Sequence, residues 1–132
     1  MDTALPDDNG VLVDTYGNER FSRDVIDAFP SLRQDLVSSA GVLHVQMALL
    51  GELVRRSLDS GDMKLAKRVC VFLDRTLDEP RVSPEITNAI AISFLVPDQL
   101  RATEGGRDLL EQMPVRIRAI LVDQAARDRR GW

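Results

Sequence analysis

Apolar positions along this chain recur at helical spacing and rarely at the alternation of a strand. Residues 42–60 carry the clearest pattern. Leu43, Met47, Leu50, Val54 and Leu58 step along it by four, three, four and four, the period of one helix face. Val42, Val45, Leu49 and Leu53 make a second stripe beside the first, and two adjacent stripes predict a wide apolar face and a central helix. Gly61 follows, where a left-handed residue closes a helix. Asp62 then caps a helix over 63–78. Its buried side reads Leu65, Ala66, Val69, Cys70, Phe72, Leu73 and Leu77, and its wet side Lys64, Lys67, Arg68, Asp74, Arg75 and Asp78. So short a break makes the two helices fold back as an αα-hairpin.

Weaker helical patterns flank this hairpin. Ser22 is placed to cap a short helix holding Val25, Ile26 and Phe29, which Pro30 ends. Ser31 opens another with Leu32, Leu36 and Val37, and Gly41 breaks it. Ser83-Pro84 is an N-cap followed by proline at the first helical position. The helix predicted from Glu85 to Leu95 is apolar from Ala89 to Val96 apart from Ser93, so burial on most sides is expected, with Pro97 as its stop. A short segment through Leu100, then Gly105-Gly106, leads to Leu109, Leu110 and Met113. Pro114 starts the last helix, with Ile117, Ile120, Leu121 and Ala125 inward. Arg127, Arg129 and Arg130 suit the negative end of its dipole. Pro6, Asn9-Gly10 and Gly17-Asn18 are turn signals. Residues 1–20 therefore read as an irregular acidic arm, with Val11-Leu12-Val13 available as a short strand or an anchor to the body. The expected fold is all-α: one compact domain over 21–132 with about seven helices, the hairpin 42–78 at its centre, and no internal repeat.

Composition narrows the chemistry. A chain of 132 residues is long enough for one domain with a real core. One Cys and one His make no internal disulfide and are too few for a tetrahedral zinc site. His44 and Cys70 are the only material for a Cys–His catalytic pair, which requires both to face one open pocket. Cys70 lies in an apolar stripe, where a buried thiol is a small inert hydrophobe. The pairs Asp59/Asp62 and Asp78/Glu79 flank helix ends and read as caps and solvated charge rather than as a metal or acid–base site. Gly105-Gly106 precedes Arg107, not the Lys-Ser or Lys-Thr of a phosphate loop. These readings favour a protein that is not an enzyme and needs neither cofactor nor metal. No apolar run approaches the ~20 residues of a membrane span. The acidic start lacks the basic and apolar regions of a secretory signal, and a lone thiol suits a reducing cytoplasm.

The formal charge is −4, from 17 Lys and Arg against 21 Asp and Glu. Only Lys64 and Lys67 of the basic residues are Lys. A GC-rich coding genome accounts for that, and Arg at an interface is the sharper reading, because guanidinium pairs well with carboxylates. The turn at 58–64, followed by Lys64, Lys67 and Arg68, raises a helix-turn-helix reading. Its first helix is long for that motif, and the negative net charge opposes phosphate contact. Asp74, Asp78, Glu79 and Glu85 gather where one helix ends and the next begins. Such clusters are commonly just solvated, and the alternative is a patch that steers a basic partner. On that alternative, reversing Asp78 and Glu79 to Lys is expected to slow association and leave the thermal midpoint nearly unchanged.

Several blocks resemble a family of small, uncharacterised, all-helical bacterial domains. They are His44-Val45-Gln46-Met47 with Leu50-Gly51-Glu52-Leu53, Ser60-Gly61-Asp62, Phe72-Leu73-Asp74, and Asn88-Ala89-Ile90-Ala91-Ile92-Ser93-Phe94-Leu95. Leu110-Glu111-Gln112-Met113-Pro114, Ile117-Arg118 and Phe29-Pro30 complete the set, so the resemblance covers residues 25–121. Val96 stands where family members often carry Glu. Some members resemble immunity proteins encoded beside secreted polymorphic toxins. The resemblance implies a cytoplasmic protein that binds one cognate toxin domain and blocks it, and it implies no catalytic residues. Toxins that attack nucleic acids or nucleotides often expose basic clefts, which an acidic surface matches. A small nucleic-acid-binding regulator is the alternative from another class.

Overall fold

The structure, a computed structural model, describes residues 15–129, with Arg129 by its backbone alone. The reading of Val11-Leu12-Val13, most of the acidic arm and Arg130 lie outside the described residues. The fold is all-α. Its helices are α1 (Asn18–Ala28), α2 (Arg33–Ser38), α3 (Leu43–Asp59), α4 (Met63–Leu77), α5 (Pro84–Ala89), α6 (Pro97–Arg101), α7 (Glu104–Gln112) and α8 (Val115–Arg129). A 3-10 turn, Pro30–Leu32, leads into α2, and α5 widens into a π turn, Ile90–Phe94. The only β contact among the described residues is an isolated bridge between Tyr16 and Val82. It is closed by Tyr16 N–H to the Arg81 carbonyl at 3.0 Å and Ser83 N–H to the Tyr16 carbonyl at 2.8 Å. The segment before α1 is thereby tied to the α4–α5 loop, with the Tyr16 side chain buried.

The central hairpin forms as its local chemistry dictates. Gly61 takes φ +81°. Gly61 N–H then reaches the Leu58 carbonyl and Asp62 N–H the Ser57 carbonyl, the paired bonds that satisfy the last carbonyls of a helix. The Asp62 carboxylate accepts the Leu65 N–H at 3.1 Å. α3 lies at the centre and packs chiefly on α4 and on the π turn. Met47, Leu50, Val54, Val69, Cys70, Leu73, Ile90 and Phe94 meet in the core.

Elsewhere tertiary packing decides against the local signal. Ser22 does not cap a helix. α1 begins at Asn18, and the Ser22 hydroxyl is buried inside it, donating to Gln46 Oε1 at 2.9 Å and accepting Gly41 N–H at 3.0 Å. Ser31 lies within the 3-10 turn and makes no cap bond. Gly105-Gly106 falls in the first turn of α7, whose cap is the Thr103 hydroxyl accepting Gly106 N–H at 3.0 Å. A Cβ on Gly106 would stand 2.0 Å from the Leu100 carbonyl oxygen, so glycine is what lets α6 and α7 close on one another. Val42 and Val45 of the second α3 stripe remain 50% and 46% exposed, while α1 and α2 meet α3 at Gln46.

The stretch after α5 differs most from expectation. Helical geometry ends at Phe94, and Leu95 and Val96 are extended. Pro97 therefore opens α6 rather than stopping α5. The wide turn carries the inward positions from Ile90 to Phe94 and leaves Ile92 on the outside, 58% exposed. Val96 is likewise 48% exposed. The apolar run is thus buried on one side only. This deviation holds the π turn against α3: Gly51 lets the Phe94 carbonyl approach so closely that a Cβ there would stand 1.9 Å from the oxygen. His44 Nδ1 and Ser93 Oγ lie 2.6 Å apart and fasten the same turn to the start of α3.

Candidate functional site

The four carboxylates expected to form a partner patch have different contacts. Asp74 and Asp78 sit one helical turn apart at the end of α4, and both hold Arg116 at the start of α8. Arg116 Nε donates to Asp74 Oδ1 at 3.0 Å, and its Nη2 to Asp78 Oδ1 and the Asp74 carbonyl, both at 2.8 Å. The hydrogen bond to Asp74, then that to Asp78, raises the Arg116 guanidinium above its ordinary value. Glu79 turns to α1, where it pairs with Arg20 at 3.3 Å. Arg20 also lies over the Tyr16 ring, 4.6 Å from its centroid. Tyr16 donates its phenol proton to Asp24 Oδ2 at 2.6 Å, and burial, reinforced by this bond, raises its pKa.

Three of the four carboxylates therefore join helices to one another. Reversing Asp78 and Glu79 to Lys puts cations against Arg116 and Arg20, so with these contacts in view a lower thermal midpoint is the expected result in place of an unchanged one, checked by a thermal melt of the double variant. Arginine, too, works inside the chain. Arg116 and Arg20 tie helices together, and Arg68 donates to the Ala28 carbonyl at 3.0 Å while covering the Phe29 ring. Arg68 and Lys67 had suggested a DNA-contacting face. Lys67 instead donates to Gln112 Oε1 at 2.9 Å, bridging α4 to α7.

Glu85, the fourth carboxylate, lines a groove that sequence reasoning missed. α5 and the π turn form one wall, and α8 forms the other. Two hollows of about 560 and 250 Å³ adjoin there and share Ala91. Ile120, Leu121, Ala91, Leu95 and Ala125 supply apolar lining, and Ile92 and Val96 extend it to the surface. Glu85 and Asp123 stand at the first hollow and Asp128 at the second. Arg127 is the single guanidinium in the lining among the described residues; it pairs with Asp123 at 3.3 Å and donates to Gln124 Oε1 at 3.2 Å. The available signal in the sequence was Ile92 and Val96 in an apolar run expected to be buried on most sides, both of which are exposed.

His44 and Cys70 do not form a reactive pair. His44 is exposed with Ser93 as its partner, whereas Cys70 is buried. Burial pushes its thiol up to about 12, the opposite of what a thiolate nucleophile requires. The native protein is expected to resist iodoacetamide at about pH 8 and to be alkylated in denaturant. The unfolded chain's thiol ionises at about 9 while the folded one keeps its proton to about 12. Between these values the folded state binds more protons, so this group's contribution to stability falls as pH rises. A pH series of urea melts of Cys70→Ser against the parent isolates that contribution.

No group of three or more Asp, Glu, His or Cys among the described residues is placed to hold a metal ion, and none of the described helices is long and apolar enough to cross a membrane. No family model, curated protein or solved structure matches the chain.

Proposed function

We propose that this chain is a protein-binding module, and specifically an immunity protein that binds and neutralises a cognate bacterial toxin domain. The observation that carries this reading is the groove between α5 and α8, where exposed apolar side chains stand beside carboxylates on a tightly braced body. Apolar surface rimmed by polar groups is what a docking site presents. The bracing supports the same reading. The Arg116 clasp, the His44–Ser93 contact and the Gly51–Phe94 approach hold both walls in place before binding, and a preformed surface loses little entropy on association. The resemblance to immunity-like helical domains in residues 25–121 names the class of partner, and the acidic rim suits a toxin with a basic cleft.

The test is co-expression with the toxic domain of a secreted protein encoded in the neighbouring reading frame. Cells that die with the toxin domain alone are expected to grow when this chain is present, in proportion to complex formed. Undiminished killing at saturating expression, with both proteins soluble, contradicts the immunity function.

A further inference from the structure

We propose that the α5–α8 groove receives an amphipathic, basic helix of the partner, an inference that rests on the binding reading above and adds the chemistry of the occupant. The first argument is charge. Among the described residues three carboxylates, Glu85, Asp123 and Asp128, line the two hollows against the single guanidinium of Arg127. Arg127 is committed to Asp123 and Gln124, and Asp128 accepts the neutral amide of Gln124 at 3.1 Å and no cation among the described residues. The negative excess lies beside an apolar floor, so the complementary ligand carries Lys or Arg flanking apolar side chains.

The second argument is shape. Both walls are helical, and the described residues contain no sheet edge that would accept an added strand. The α8 wall runs from Ile120 to Asp128, about 12 Å at the helical rise. That length faces two turns of a helix, whose i, i+4 and i+7 side chains fill such a groove. The third is the π turn, a local departure of the kind that accompanies functional sites. It is the reason Ile92 lies outside the core and within reach of a ligand.

The probe is a synthetic Leu/Lys amphipathic helix of about 14 residues, with its Leu/Glu counterpart as control, titrated into the isotopically labelled full chain. Amide shifts are expected to concentrate at Ala91, Ile92, Val96, Ile120 and Ala125, and the Leu/Glu peptide is expected not to bind. The double variant Glu85→Lys, Asp128→Lys is expected to weaken the Leu/Lys peptide at least about tenfold with an unchanged thermal melt. Shifts centred on Val42 and Val45, equal binding of both peptides, undiminished affinity of the charge-reversed variant, or a second copy of this chain seated in the groove by sedimentation and cross-linking would each overturn the proposal. Toxin neutralisation without peptide binding in the groove removes this inference alone. Peptide binding without neutralisation removes the immunity function and leaves the groove's chemistry standing.

Discussion

Gly51→Ala is expected to destabilise the protein by about 2 kcal/mol, although the same change in an open helical position stabilises. Helix propensity favours alanine by about 1 kcal/mol. Against that, the new methyl would stand 1.9 Å from the Phe94 carbonyl oxygen and 3.0 Å from its carbon. These are backbone atoms, so no rotamer change relieves the clash, and α3 and the π turn must move apart. Overpacking of a fixed site costs about 1–3 kcal/mol and sometimes more, so packing outweighs propensity. The lower urea midpoint should come with an unchanged slope. Because the π turn carries Ile92, displacing it also disturbs the groove, and partner affinity should fall alongside stability. A rise in the midpoint contradicts the close approach of α3 to Phe94.

Gln46→Leu is expected to cost about 2–3 kcal/mol. Gln46 is fully buried on α3. Its Oε1 accepts the Ser22 hydroxyl at 2.9 Å, and its Nε2 donates to the Leu36 carbonyl at 3.2 Å. Ser22 in turn accepts the Gly41 N–H. One side chain thus links α1, the end of α2 and the turn into α3. Leucine fills the volume but leaves the Ser22 proton without its acceptor, and Leu36 with only the 3.3 Å contact from Ser39. Each buried polar group left unpaired costs about 1–3 kcal/mol. A double-mutant cycle with Ser22→Ala should show coupling, the second substitution costing less once Gln46 is gone. Additive losses, or a loss under about 1 kcal/mol, contradict the network.

The fold class was legible in the sequence because its strongest signals act over a single turn of chain. The Gly61-Asp62 break and the Ser83-Pro84 cap are such signals, and Ser83 does accept Glu85 N–H at 3.2 Å. Ser22 does not cap and the Gly105-Gly106 pair lies inside α7 for the complementary reason. A hydroxyl near a helix start or a glycine pair carries its local meaning only until another element approaches, and here Gln46 and Leu100 do so. Gly51 did carry a usable clue: a glycine inside an otherwise strong helix marks close backbone approach.

The candidate site was less legible. The carboxylates Asp74, Asp78, Glu79 and Glu85 were visible, but their cations, Arg116 and Arg20, lie 42 and 59 positions from Asp74 and Glu79, and no short-range pattern pairs them. The groove was hidden because the run at Ala89–Val96, apolar apart from Ser93, has no period to show which side chains turn outward. Only the widened turn puts Ile92 in solvent and Phe94 in the core.

The most direct test of partner binding through this groove is a calorimetric titration of the toxin domain with the parent chain and with Ile92→Glu. Ile92 is 58% exposed, so the substitution should leave the melt intact. It also places a carboxylate on the apolar lining, where a ligand would have to bury it. The parent is expected to bind one to one, and Ile92→Glu to lose at least about tenfold in affinity through faster dissociation. Equal affinity of a correctly folded Ile92→Glu chain would contradict the account.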